Sequence, residues 1–245
     1  MMLCAFSLIL VGMNRASAYT FSYKGKDVNS QTGSTLIAEA IFDYDGGTQL
    51  LITLRNLSPD GVLAPSDVLT ALFFDSDPND TMTPLYAKAE AGAKLLNAPA
   101  KFSLGKEWDF ERKIGGPKGS NAGIGAAGFG VFNQGNFDLP GNNVKGWEYG
   151  IVSGVHAGAN KPTQTAILLQ GGMTFGFEVD KNFSQKSLGN VFFQFGSSFS
   201  ETLIVGVPNA STAVPEPGTV ALLGSMGTTL LLPVLRRRLR RKAKK

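Results

Sequence analysis

The chain of 245 residues contains one cysteine, Cys4, and one histidine, His156. That scarcity excludes a disulfide framework, and it excludes a zinc centre built from several Cys or His ligands. Charged residues are sparse at 17%, and no central stretch keeps a helical period between caps, which argues against a helical bundle. A G-x-S-x-G element is also missing; Gly150-Ile151-Val152-Ser153-Gly154 has the wrong spacing. His156 in GVHAGAN therefore reads as an exposed loop residue rather than the base of a nucleophilic serine. Basic residues are few outside the C-terminus. Arg236 to Lys245 hold eight Lys/Arg, while the body between Arg15 and Val214 has 14 basic and 18 acidic residues, a net −4. A mildly acidic body does not resemble a nucleic-acid-binding domain, and the sequence pI near 9.1 belongs to the tail.

What is abundant points to β structure. Thirty glycines, 17 phenylalanines and 43% hydrophobic residues suit a turn-rich all-β domain with a sizeable core. STLIAEAIFDY, DGG and TQLLITLRNL read as a hairpin: Ala38, Ala40, Phe42 and Tyr44 share one face, and Leu50, Ile52 and Leu54 share another. Asp45-Gly46-Gly47 supplies its turn. Further strands are expected over Asp67–Phe74, Leu85–Ala91, Lys101–Phe110, Gly146–Ser153, Thr165–Val179, Asn190–Gly196 and Glu201–Val207. The expectation is one antiparallel β-sandwich over residues 19–207, jelly-roll or immunoglobulin-like, with about eight to ten strands. Residues 208–213, PNASTA, read as a small polar linker.

Three clusters could carry chemistry. Asp75-Ser76-Asp77-Pro78-Asn79-Asp80 places oxygen ligands at alternate positions, which suits calcium on Asp75, Asp77 and Asp80. An EF-hand it is not, since its sixth position is Asp80 and its twelfth Tyr86, and a solvated Asx/Pro turn is the plainer reading. No other cofactor is expected. Glu107, Asp109 and Glu111 alternate, so on a strand they would share a solvent-facing side, about 6.5–7 Å between neighbours, with Trp108 opposite. Such carboxylates could serve a glycosidase. Gly123-Ile124-Gly125-Ala126-Ala127-Gly128 fits G-x-G-x-x-G, but Phe129-Gly130-Val131-Phe132 is poor helix, so a loop or bulged strand is expected rather than a dinucleotide site. No enzyme signature results. A carbohydrate-binding module is the binding-class alternative, with Trp108, Trp147 and Tyr149 as a sugar-facing surface.

The two ends are more specific. An apolar run from Leu3 to Met13 precedes Ala16-Ser17-Ala18, the small-residue pattern of a signal-peptidase site, so residues 1–18 read as a signal peptide cut after Ala18. Cys4 would leave with it. At the other end, Gly218 to Leu235 is an uncharged stretch of 18 residues, roughly 27 Å long as a helix and just enough for one transmembrane helix. RRRLRRKAKK follows. Arg236, Arg237, Arg238, Arg240 and Arg241 act as a stop-transfer cluster that stays in the cytoplasm, leaving the body in the periplasm. This cluster adjoins an apolar span and has no interleaved aromatics, so nucleic acid is not its partner. Val214-Pro215-Glu216-Pro217 stands directly before the span, and its two prolines hold the backbone extended and accessible to a peptidase.

That order resembles the PEP-CTERM sorting signal of Gram-negative bacteria over residues 214 to about 241. The resemblance implies that Pro215, Glu216 and Pro217 are recognised by an exosortase, a membrane-embedded transpeptidase-like enzyme, with this chain as its substrate. A plain tail anchor is the alternative. The body, through VLTALFFD, GKEW, GGPKGSNAGIGAAGFGVF, GWEYGIVS and NVFFQFGSSFSE, resembles a family of exosortase-dependent surface proteins. This implies an exported surface or matrix protein, structural or adhesive, linked to exopolysaccharide and biofilm, held transiently at the inner membrane before release to the surface.

Overall fold

The computed structural model describes residues 18–99, 103–133, 136–137, 144, 146–154, 159–181, 183–209 and 212–213. The chain is mostly β-sheet. In chain order the strands are β1 (Tyr19–Val28), β2 (Thr35–Tyr44), β3 (Gln49–Asn56), β4 (Leu69–Ser76), β5 (Met82–Ala89), β6 (Lys94–Leu96), β7 (Asp109–Arg112), β8 (Ala122–Gly125) and β9 (Ile151–Val152). A short helix α1 (Lys161–Thr165) precedes β10 (Leu168–Gln170), β11 (Gly172–Val179), β12 (Leu188–Phe195), β13 (Leu203–Val205), β14 (Val207–Pro208) and β15 (Thr212–Ala213).

They form two sheets. The first runs β14-β1-β2-β3-β11-β5, with β15 also on β1; the second runs β13-β12-β4-β9-β10-β6, with β7 and β8 attached through β4. Every pairing is antiparallel except that of β9 with β10, which is parallel. The alternation of the first hairpin decides what faces the other sheet. Ala38, Ala40, Phe42 and Tyr44 of β2 and Leu50, Ile52 and Leu54 of β3 are all fully buried, as their period requires. They share one core with Leu72 and Phe74 of β4 and Val191, Phe193 and Phe195 of β12. Rings cross between the sheets: Phe42 meets Phe74 edge-on at 6.0 Å, and Phe110 meets Phe177 at 4.8 Å.

Strand β4 is covered on both faces, because Ala71 and Phe73 pack outward with Phe132 and Phe192 in a second cluster. Here the glycine motif finds its purpose. A Cβ on Gly123 would meet Phe73 at 2.8 Å, and one on Gly125 would meet Phe132 at 2.4 Å. Gly123 and Gly125 lie in β8 and leave room for rings.

Several expected strands are differently cut. Thr165–Val179 is not one strand: Asn160 caps α1 by accepting from the Thr163 amide at 3.2 Å, and β10 and β11 then part at Gly171, with φ +117°. That left-handed residue lets the chain leave the second sheet and enter the first. Glu201–Val207 divides likewise at Gly206, between β13 in the second sheet and β14 in the first. Lys101–Phe110 and Gly146–Ser153 become, over their described residues, turns that lead into β7 and β9. No helix among the described residues is long and apolar enough to cross a membrane. Residues 1–17 of the expected signal peptide and the whole of 214–245 lie outside the described residues.

Candidate functional site

The first and last described strands meet at one end of the first sheet. Tyr19, the first residue of β1, stands opposite Tyr44 of β2 on one side and Ala213 of β15 on the other. Thr20 stands opposite Asp43 and Thr212, and its hydroxyl donates to the Asp43 carboxylate at 2.8 Å. Within and beside the expected linker 208–213, Val207–Pro208 and Thr212–Ala213 pair with β1. The sequence signal for this was the extended LIVGVP stretch, whose partner strand lies almost 190 residues earlier.

The Tyr19 ring packs on Tyr44 at 5.1 Å and on Phe21 at 5.7 Å. The Tyr44 hydroxyl donates to the Gly47 carbonyl at 2.7 Å. The Tyr19 hydroxyl and Asp80 Oδ2 are each buried and find no hydrogen-bond partner among the described residues. Burial pushes the Tyr19 pKa well above the usual tyrosine range, and the nearby Tyr44 and Asp80 add to this. From β7, Arg112 donates to the backbone carbonyls of Asp80 and of Asp77, the latter at 2.7 Å. Beside them an open pocket of about 670 Å³ is lined by Thr48, Asn79, Asp80, Thr83, Glu178 and Lys181, among others. Its rim is tied by the Thr81 amide donating to Asp180 at 2.6 Å.

The calcium candidates lie at this end but have separate partners. Asp75 accepts from the Asn190 amide at 2.6 Å, and Asp77 Oδ1 accepts from the backbone and side chain of Asn79 at 2.9 and 3.0 Å, an Asx turn. Asp80 is near enough to Tyr19 for its charge to raise the tyrosine pKa. Among the described residues, no group of three or more His, Cys, Asp or Glu comes together to hold a metal.

The acidic trio corrects the sequence reading. β7 begins only at Asp109, and Glu107 has helical backbone at the end of a 3-10 turn, so the alternation does not extend to it. Glu107 and Asp109 are buried at 4% and 1% exposure; only Glu111 is half-buried. The cause is a covering loop. Asn136 brackets Phe110 with bonds of 3.0 and 2.7 Å to its amide and carbonyl, and the Asn133 amide donates to Asp109 at 2.9 Å. Burial, with Asp109 nearby, pushes the Glu111 carboxyl above its usual range. The expected sugar platform is corrected as well. Trp108 is fully buried on Phe175 with its indole N–H donating to the Tyr149 carbonyl at 3.1 Å, and Tyr149 is buried too. Trp147 is half-buried against a separate apolar cluster. Trp108 and Tyr149 thus belong to the core and form no surface with Trp147.

His156 lies outside the described residues, as do Pro215, Glu216, Pro217 and the cluster Arg236, Arg237, Arg238, Arg240 and Arg241. No protein-family model, curated protein or solved structure matches this chain.

Proposed function

We propose that this chain is an exported envelope protein, carried across the inner membrane by residues 1–18, held there by a helix over 218–235, and processed by an exosortase at Pro215-Glu216-Pro217. The observation that carries this reading is the fit of the folded part between the two signals. β1 starts at Tyr19, directly after the cleavage point expected behind Ala18, and β15 ends at Ala213, two residues before Pro215. Among the described residues, the paired sequence lies between the two stretches suited to processing.

The two sheets read as a β-sandwich of the jelly-roll or immunoglobulin kind, and the domain acts as a structural or adhesive element at the surface or in an exopolysaccharide matrix. The test is intact mass with C-terminal peptide mapping on the protein recovered from its native host. A form that starts near Tyr19 and ends near Val214–Pro217 supports the reading. RRRLRRKAKK found intact in the membrane fraction replaces it with a plain tail anchor.

A further inference from the structure

Asn-x-Ser/Thr triplets begin at Asn56, Asn79, Asn182 and Asn209. In an exported protein such a triplet can accept an N-linked glycan where its amide and its hydroxyl both reach solvent. Burial separates the four. Asn56 is 3% exposed, and its amide donates across the sheets to the Ile151 carbonyl at 3.0 Å, so Asn56-Leu57-Ser58 is sealed. Asn182 and Ser211, which belong to two of the others, lie outside the described residues. Among the described residues, Asn79-Asp80-Thr81 alone presents an exposed asparagine and an exposed hydroxyl residue together.

The local fold displays this triplet. It occupies the turn between β4 and β5, where the Asp80 amide donates to the Asp77 carbonyl at 3.1 Å, with Pro78 and Asn79 as the central residues. The Asp77 carboxylate accepts from the Asn79 backbone at 2.9 Å and from one Nδ2 hydrogen at 3.0 Å, which fixes the side chain and leaves the second Nδ2 hydrogen available. Thr81 is tied through its backbone, whose amide donates to Asp180 at 2.6 Å. Beside Asn79, the open pocket of about 670 Å³ offers Thr48, Thr83, Glu178 and Lys181, donors and acceptors that suit sugar hydroxyls.

We propose that Asn79 is a glycosylation site whose first saccharide rests over that pocket. The proposal rests on the exported reading above. The co-reactant is a glycan activated as a glycosyl diphosphate. Nδ2 bonds to the anomeric carbon, the bond from that carbon to the diphosphate oxygen breaks, the diphosphate leaves, and the displaced Nδ2 proton passes to solvent. Nothing is oxidised or reduced. The remaining Nδ2 hydrogen keeps its bond to Asp77, so the turn holds its shape with the sugar attached.

The test is mass spectrometry of the full-length chain expressed in its native host, with the N-terminus read on the same sample. Trypsin leaves Asn56 and Asn79 on one peptide, 56–88, so fragmentation assigns the modified residue. The expected result is a saccharide mass on Asn79 and none on Asn56. Asn79→Gln and Thr81→Ala should each cut its occupancy about tenfold or more, and Thr81→Ser should retain it. Both side chains are exposed, so the variants should keep the wild-type melting temperature, which separates loss of the sugar from loss of the fold. A chain that starts at Tyr19 with Asn79 unmodified overturns the proposal and leaves the exported reading standing. Saccharide at undiminished occupancy in Thr81→Ala also overturns it, because the addition then ignores the triplet. A chain that still carries residues 1–18 brings down the exported reading first, and the glycan with it.

Discussion

The two ends of the first sheet are built in opposite ways. At the end away from the termini, the buried Asp67 carboxylate accepts from Asn29 at 2.6 Å, Thr32 at 2.7 Å, Ser34 at 3.2 Å and the amides of Leu63 and Ala64 at 3.0 and 3.3 Å. These five donors join the β1–β2 turn to the segment that leads into β4. Nearby, Asn56 donates to the Ile151 carbonyl at 3.0 Å and so bridges the two sheets. At the terminal end, buried Tyr19 Oη, Asp80 Oδ2 and Arg112 Nε find no partner among the described residues, and an open pocket is lined by Asp80 and its neighbours. One end is fastened by a satisfied polar network; the other keeps polar atoms in reserve where the chain must enter and leave.

Breaking the fastened end should have the largest effect. Asp67→Ala orphans five donors and is expected to destabilise the domain by about 4 kcal/mol, lowering Tm by roughly 10 °C in thermal unfolding followed by circular dichroism. Next comes the anchor between the ends. Gly25→Val collides with Ile204 and the Val205 carbonyl, and should cost about 2 kcal/mol in chemical denaturation while loosening the C-terminal strand to proteolysis.

A smaller effect belongs to the outer face of the first sheet, where Arg55 joins Glu90 and Glu39, with Nε to Glu90 at 2.8 Å. The Arg55 hydrogen bonds hold the Glu90 carboxyl below its usual range. A lowered folded pKa means stability that is present above the unfolded value near 4.3 and lost as pH falls below it. Glu90→Gln should therefore cost about 0.5 kcal/mol at pH 7 and flatten the acid limb of the stability profile.

The smallest change sharpens the comparison by its sign. Tyr19→Phe removes an unpartnered buried hydroxyl and should leave stability unchanged or raise it by about 0.5 kcal/mol at pH 7. Since the folded pKa of Tyr19 is raised, the wild-type chain loses stability as pH climbs past about 10, and Tyr19→Phe should lose less in alkaline unfolding. A clear loss at neutral pH would mean that the hydroxyl has a partner after all.

Period-two alternation made the inner faces of β2 and β3 readable, because each face of a strand repeats regardless of what covers it. The same rule misled at Glu107, Asp109 and Glu111. Alternation says which side chains agree in direction, and it is silent on whether a loop such as that at Asn133 and Asn136 closes over them. Trp108 was misassigned for the same reason. The passages at Gly171 and Gly206 were read through as continuous strands, since a glycine within a strand pattern does not declare which sheet each half will join. Of the terminal site, the extended LIVGVP stretch was legible as local composition. The meeting of Tyr19, Tyr44, Asp80 and Arg112 was not, because each comes from a different strand or turn.

Synthesis proceeds from one end of the chain to the other, and this gives the arrangement at Gly206 a temporal meaning. β13 is the last strand to join the second sheet, and β14 and β15 are the last to join the first. Until Ile204 has emerged, β1 has an open edge and the core has an empty seat, so a molecule truncated or stalled upstream remains visibly unfinished to proteases. Closure of the final strand thus works as a certificate of completeness, issued only when nearly every residue ahead of the C-terminal apolar stretch has been delivered.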